Sequence, residues 1–258
     1  DLPSVAWDVT VSASRNDNKW LDLGTDPGTG LDRVIGAGTV TQQRKGGPLF
    51  GQWYRNYTFA DANGDGIIQQ SEVQVDTALS FQGVGFATKL ISIQNGIDLF
   101  RGKLRINALF DYRGGGKTLE GNYFQCSSAP KACRETQDPT QPLWLQARAV
   151  AVTYGTKVNG TTYTSRVGYF VPFDAWRFRE LSGVISLPDR VTQTIRAQTG
   201  STLVLGVRNL HVWTNFTGVD PEQNYGVGSS TAARPEVQND FNTSPPPTYF
   251  TIRLNLKY

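Results

Sequence analysis

Residues 248–258 read TYFTIRLNLKY. They place Phe250, Ile252, Leu254, Leu256 and Tyr258 on one side of an extended chain, with Thr251, Arg253, Asn255 and Lys257 on the other. A strand throws successive side chains to opposite faces, so strict alternation marks a sheet with one apolar face. A strand of a soluble sandwich alternates in the same way. Two details weigh toward a membrane barrel: the polar side carries Arg, Asn and Lys, and the chain stops on an aromatic. Apolar residues toward lipid, polar ones toward a lumen and aromatics at the rims are the outer-membrane barrel pattern.

The pattern recurs upstream. VAWDVTVSAS puts Val5, Trp7, Val9, Val11 and Ala13 on one side, and KLISIQNGIDL does so with Ile91, Ile93, Ile97 and Leu99. KLRINALFDY sets Leu104, Ile106, Ala108, Phe110 and Tyr112 against Lys103, Arg105, Asn107 and Asp111. WRFRELSGVISLP and STLVLGVRNL read as two more strands, the first changing phase near Glu180 as a bulge would make it. GPLFGQWYRNYTF, residues 47–59, is a further, aromatic-rich candidate. Each is close to the roughly 9–11 residues of a tilted membrane strand. The expected fold is all-β: an antiparallel transmembrane β-barrel portion, about seven strands of a larger barrel, with long extracellular loops.

The connections sort by length. Residues 100–102 and 188–200 are short; 60–87, 114–174 and 212–247 are long and rich in Gly, Pro, Ser and Asn. Short turns at one end and long loops at the other are barrel topology. With the terminal strand running toward the periplasm, strands 201–210, 175–187, 102–113, 88–100 and 48–59 alternate in direction, and all three long loops fall outside. Segment 15–47 then becomes a periplasmic connection too long for a plain turn. PLWLQARAVAVTYG, inside the second long loop, reads as a helix.

Composition narrows the classes. The chain has 258 residues, 25 Lys+Arg against 22 Asp+Glu, and a net charge of +3, too slight to argue for nucleic acid. Mean hydropathy is −0.36, and no apolar run approaches the roughly 18 residues of a membrane helix. The chain opens on Asp1 and holds no Met, which is expected of a mature or truncated chain. Its cysteines, Cys126 and Cys133 in FQCSSAPKACRE, are close enough for a local disulfide in an oxidising compartment, the other reading being two free thiols. A single histidine, His211, argues against zinc and against imidazole chemistry. With no GxSxG, Walker A or HExxH motif, no catalytic residue is assigned and no enzyme is expected.

One stretch carries metal chemistry. DANGDGIIQQSE, residues 61–72, fits D-x-[DN]-x-[DN]-G-x5-E, a calcium loop of the EF-hand type. Calcium takes six to eight hard oxygens in flexible geometry. Asp61, Asn63 and Asp65 offer side-chain oxygens, Ile67 its carbonyl, Gln69 a side chain or held water, and Glu72 two oxygens, while Gly66 permits the sharp turn. Strand-like YRNYTFA precedes it, so no EF-hand helix flanks the loop. An Asx- and Gly-rich turn without metal is the plainer alternative.

Several of these segments together resemble the SusC/RagA family of TonB-dependent outer-membrane transporters. DANGDGII followed by a strand pair and DYRGG is similar to that family, as is FDAWRFRELSGVISLP. LVLGVRNLHVWTNFTGVDPEQN resembles its G-x-N-L-x-x-W-T-x-[YF]-x-G-x-D-P-E signature through Gly206, Asn209, Leu210, Trp213, Thr214, Phe216, Gly218, Asp220, Pro221 and Glu222. PPPTYFTIRLNLKY is similar to its closing strand and assembly signal. The resemblance covers almost the whole chain and implies a C-terminal part of a 22-stranded, plugged barrel, whose strands alone need roughly 220 residues. It implies residence in the bacterial outer membrane among its lipids, with loops exposed at the cell surface. It further implies a SusD-like lipoprotein partner, coupling to the TonB complex through the missing N-terminal part, and an oligosaccharide or peptide nutrient. Trp144, Trp213 and Tyr225 are candidates to stack on substrate, although aromatics at a membrane rim also serve as interface anchors. The alternative is a free-standing, calcium-stabilised β-rich surface binding or structural protein.

Overall fold

The computed structural model describes residues 4–37, 40–222 and 244–258. Its largest element is a six-stranded antiparallel sheet: β1 (Val5–Arg15), β2 (Lys89–Leu99), β3 (Leu104–Gly114), β4 (Ala175–Ser186), β5 (Thr202–Thr214) and β6 (Tyr249–Asn255), each paired with the next in chain order. The sheet is open, with β1 at one edge and β6 at the other.

Register turns the alternation of single strands into two continuous faces. Val9, Asn95, Ala108, Leu181, Val207 and Phe250 lie in one row, and Trp7, Ile97, Ile106, Gly183, Leu205 and Ile252 in the next. These rows are apolar apart from Asn95 and the glycine, His211 of β5 also lies on this face opposite Phe178, and none of the described residues covers it: Trp7 is 70% exposed, Ile252 78% and Phe250 81%. Aromatics mark both its ends. Tyr112, Trp176 and Trp213 are neighbours across β3, β4 and β5, while Trp7 and Phe100 lie at the opposite end. The other face is polar. There Arg105 of β3 bridges Asp8 of β1 at 2.7 Å and Asp98 of β2 at 2.6 Å. Gly96 leaves room for that bridge, since a Cβ there would lie 2.1 Å from the Arg105 Nη2.

The phase change expected near Glu180 is a bulge. Phe178 pairs with Phe110 and Glu180 with Leu109, leaving Arg179 as the extra residue. Arg179 and Glu180 therefore both reach the polar face, and the apolar series resumes at Leu181.

The strand order corrects two expectations. The neighbour of β2 is β1, not 48–59, so the described wall has six strands rather than about seven. Segment 47–59 breaks instead into Gly51–Tyr54, which joins a four-stranded sheet with Ile35–Ala37, Thr41–Gln43 and Ser80–Val84, and Tyr57–Phe59, which pairs with Val73–Val75. The segment is interrupted twice, by the left-handed φ of 54° at Phe50 just before Gly51 and by Arg55–Asn56 between its two short strands. With β1 running in the opposite direction to that expected, segment 15–47 is no turn at the short end. Residues 16–88 form one excursion, and it leaves the same end of the sheet as 115–174 and 215–248. Among the described residues, the strand connections at the opposite end are the tight turn at Phe100–Gly102 and 187–201 with its short helix α4 (Asp189–Thr194).

The compact cores lie in the excursions. A helix named α3 below (Leu143–Thr153) is the one read from the sequence; it follows α1 (Asn122–Ser128) and α2 (Arg134–Gln137). It is apolar almost all round and accordingly buried on two sides. Ala149 and Val152 pack with Val40, Leu119, Tyr169 and both cysteines. Ala147, Val150 and Ala151 pack with Ile68, Val73 and Val75. Burial pushes the Tyr169 hydroxyl well above its usual range.

Candidate functional site

Where β5 ends, the chain turns back onto the polar face. Thr214 donates its hydroxyl to the Asp174 carbonyl at 2.8 Å and accepts the Phe216 N–H at 3.0 Å, which bends the backbone inward. Asp220 then meets Arg177 of β4, whose Nη2 lies 2.7 Å from each carboxylate oxygen. Arg177 is 4% exposed and Asp220 3%. Glu222 pairs with Arg179 and lies 3.3 Å from both Arg177 Nε and Arg113 Nε. The bulged Arg179 also donates its Nε to both oxygens of Asp111 at 2.8 Å. Three guanidinium groups thus face three carboxylates. Buried charge survives only when paired and hydrogen-bonded in this way. Glu180, aimed to the same face by the bulge, takes Arg208 at 2.7 Å. Sequence reasoning quoted WRFRE and GVDPE as separate motifs and missed their meeting; the signal available was an Arg pair in one and a carboxylate pair in the other.

Residues 61–72 close as a loop between the paired strands Tyr57–Phe59 and Val73–Val75. Asp61 accepts the N–H groups of Gly64 at 2.8 Å and Gly66 at 3.0 Å, both glycines holding positive φ (73° and 77°). Asp65 accepts the Ile67 N–H at 2.8 Å and contacts the side-chain amides of Asn63 and Gln69. Glu72 reaches back across the loop to the N–H groups of Ala62 at 2.8 Å and Gln69 at 2.9 Å. The structure places Asp61, Asn63, Asp65, Gln69 and Glu72 on one turn with Ile67 between them, the Asp61, Asp65 and Glu72 carboxylates engaged by loop N–H groups rather than drawn within 4.8 Å of one another. Three carboxylates, two amide side chains and a main-chain carbonyl are the hard oxygen set that calcium takes, so the residues present fit that ion.

Cys126 and Cys133 form a disulfide with Cα atoms 4.7 Å apart, and both are 2% exposed. Glu135 lies beside them, but sulfurs bonded to each other offer no thiolate to a metal. Asp138 after α2 is held down at about 2, first by the Thr140 hydroxyl, then by the Thr140 N–H and Gln141 amide. The two described aromatic candidates lie on different elements. Trp213 lies on the apolar face, its ring 6.4 Å from Phe110 and directly across from Trp176. Trp144 is half-exposed at the start of α3, its ring 5.5 Å from the Arg148 guanidinium carbon. Tyr225 lies outside the described residues.

No protein-family model matches the chain. In sequence it is 26% identical over 200 residues to the TonB-dependent receptor P3 of Formosa agariphila, a match covering 78% of this chain and 19% of that protein. In fold it is similar to the RagAB peptide transporter, with a TM-score of 0.63 at 16% identity, covering 97% of this chain and 27% of that one. Against the RagAB peptide importer in its open-open state the TM-score is 0.60 at 17% identity, covering 98% and 27%. The chain therefore spans about a fifth of its curated relative and about a quarter of the solved structures. The likeness is to a TonB-dependent receptor in sequence and to the RagAB transporter in fold, and the open antiparallel sheet is similar to part of that solved barrel.

Proposed function

We propose that the chain forms wall and outer loops of an outer-membrane TonB-dependent transporter that takes up oligosaccharides or peptides with a SusD-like lipoprotein partner. The observation that carries this is the six-stranded sheet, mainly apolar on one face, whose three long excursions all leave one end. In a bilayer the apolar face meets lipid, the rows of aromatics lie at the two interfaces, and the polar face with its ion pairs lines the lumen. Backbone groups cannot stay unpaired in lipid, so the free edges of β1 and β6 require further strands to pair with. Coupling to the TonB complex falls to parts of the protein beyond this wall. The proteins it resembles are a receptor and a transporter, which supports a non-enzymatic role.

The free-standing alternative would leave this whole face and both edges in water, a template for aggregation. Deleting the complete protein is expected to abolish growth on one class of oligosaccharide or peptide and leave growth on simple sugars intact. Recovery of the complete protein from the soluble fraction alone would overturn the proposal.

Loop 61–72 is proposed to hold calcium through Asp61, Asn63, Asp65, Ile67, Gln69 and Glu72, ordering the excursion rather than touching nutrient. Bound there, the ion would supply charge balance for three carboxylates and cross-link the turn. Asp61→Ala and Asp65→Ala are each expected to remove calcium-dependent protection of 60–87 from proteolysis. Equal digestion of the unaltered protein in calcium and in chelator would dispose of the site.

A further inference from the structure

Gln146 lies on the second turn of α3 and is 3% exposed. Nothing in the motif reading of residues 61–72 points to it, yet its side chain holds the main chain of that loop on both sides of Ile67. Its amide oxygen accepts the Ile68 N–H at 3.0 Å, and its amide nitrogen donates to the Gly66 carbonyl at 3.1 Å. The same nitrogen donates to the Gln141 carbonyl at 2.8 Å. A primary amide carries one acceptor and two donors, and all are engaged here. A carboxylate could not reproduce this, since it would set a negative charge against two carbonyl oxygens.

The helix that carries Gln146 is shared. One side packs against Ile68 of the loop and the strand Val73–Val75 that leaves it. The other packs against the buried disulfide. Two polar contacts strengthen that second side: Thr153 donates its hydroxyl to the Cys126 carbonyl at 2.7 Å, and Arg148 pairs with Glu135 at 2.8 Å. The loop and the disulfide thus hold opposite sides of one helix, and neither can loosen without disturbing the helix the other rests on.

We infer that Gln146 is a positioning residue for the 61–72 loop, and that through α3 the metal loop and the Cys126–Cys133 disulfide are thermodynamically linked. The metal half of this rests on the calcium reading proposed above. Linkage is reciprocal: whatever factor the disulfide contributes to metal affinity, the metal returns to the disulfide.

The test uses the complete protein in detergent with calcium as the probe, read by titration calorimetry. Gln146→Met, which keeps volume and removes the hydrogen bonds, and the pair Cys126→Ser/Cys133→Ser are each expected to weaken calcium binding by about tenfold. The luminescence lifetime of terbium in the loop is expected to report extra metal-bound water in Gln146→Met, a change that mere loss of stability would not produce. Gln146→Asn cannot span the same gap and is expected not to rescue. Unaltered protein supplies a check free of folding failure: calcium should slow dithiothreitol reduction of the disulfide about tenfold over chelator. Unchanged affinity in both variants, or reduction equally fast with and without calcium, overturns the linkage. If the unaltered protein binds no calcium, the metal reading falls by itself. The linkage is then judged by whether Cys126→Ser/Cys133→Ser exposes 61–72 to protease in chelator, and equal cleavage would overturn it.

Discussion

Asp220→Ala is expected to destabilise the wall by about 3–5 kcal/mol, because it leaves the Arg177 guanidinium charged, buried and short of its two hydrogen bonds. The loss should be far greater than for Arg105→Ala, whose pairs with Asp8 and Asp98 are half-exposed and of the kind worth about 0–1 kcal/mol. Replacing both buried partners, as Arg177→Met with Asp220→Leu, is expected to recover most of the loss, since the desolvation cost of both charges disappears together. The heat needed to unfold the detergent-extracted protein, followed by its electrophoretic shift, measures all three variants against the unaltered protein. Equal midpoints for Asp220→Ala and Arg105→Ala would mean that the return of 216–222 onto the polar face does not exist.

Leu181→Arg is expected to cost about 2–4 kcal/mol in a bilayer, the penalty for Arg on the lipid face near the midplane. Leu181 lies in the central row of the apolar face, between Ala108 and Val207. Gln94→Arg, in a neighbouring row but on the polar face, is expected to change stability by less than about 0.5 kcal/mol. Refolding of the complete protein into lipid vesicles from urea reads both. If the two substitutions cost the same, the faces are not what their composition declares.

The wall was largely legible because period-two alternation survives in each strand by itself. Residues 103–112 and 248–258 needed nothing beyond their own order, and the phase slip at Glu180 announced the bulge that the structure places at Arg179. Helix 143–153 was read from PLWLQARAVAVTYG, whose apolar residues continue past the length of the short strands around it. What failed was 48–59, which is rich in aromatics but belongs to small sheets within an excursion. Strands of three to five residues, such as Thr41–Gln43 and Ser80–Val84, carry too few positions to declare a period. Once 48–59 was given to the wall, the direction of β1 had to be wrong.

The sites divide in the same way. Loop 61–72 could be proposed from the sequence because its oxygen-bearing side chains are spaced along one continuous stretch. The meeting of Arg177 with Asp220 spans 43 residues, and that of Ile68 with Gln146 spans 78. Neither separation carries a local pattern, so only the fold brings these groups together. Trp213 shows the limit from the other direction. Its exposure suits a stacking partner, but register puts it in a row with Tyr112 and Trp176, where a bilayer interface holds aromatics.

The central claim is that β1 to β6 form membrane wall with one face to lipid. Single spin labels placed along 91–98 and 104–111 of the complete protein in lipid vesicles, with collision rates to oxygen and to a water-soluble nickel complex, test it most directly. The account predicts strict alternation, with oxygen favoured at Ile91, Ile93, Ile97, Ile106 and Ala108, and nickel favoured at Ser92, Gln94, Asn107 and Asp111. Nickel access at every position, or no period of two, would contradict it.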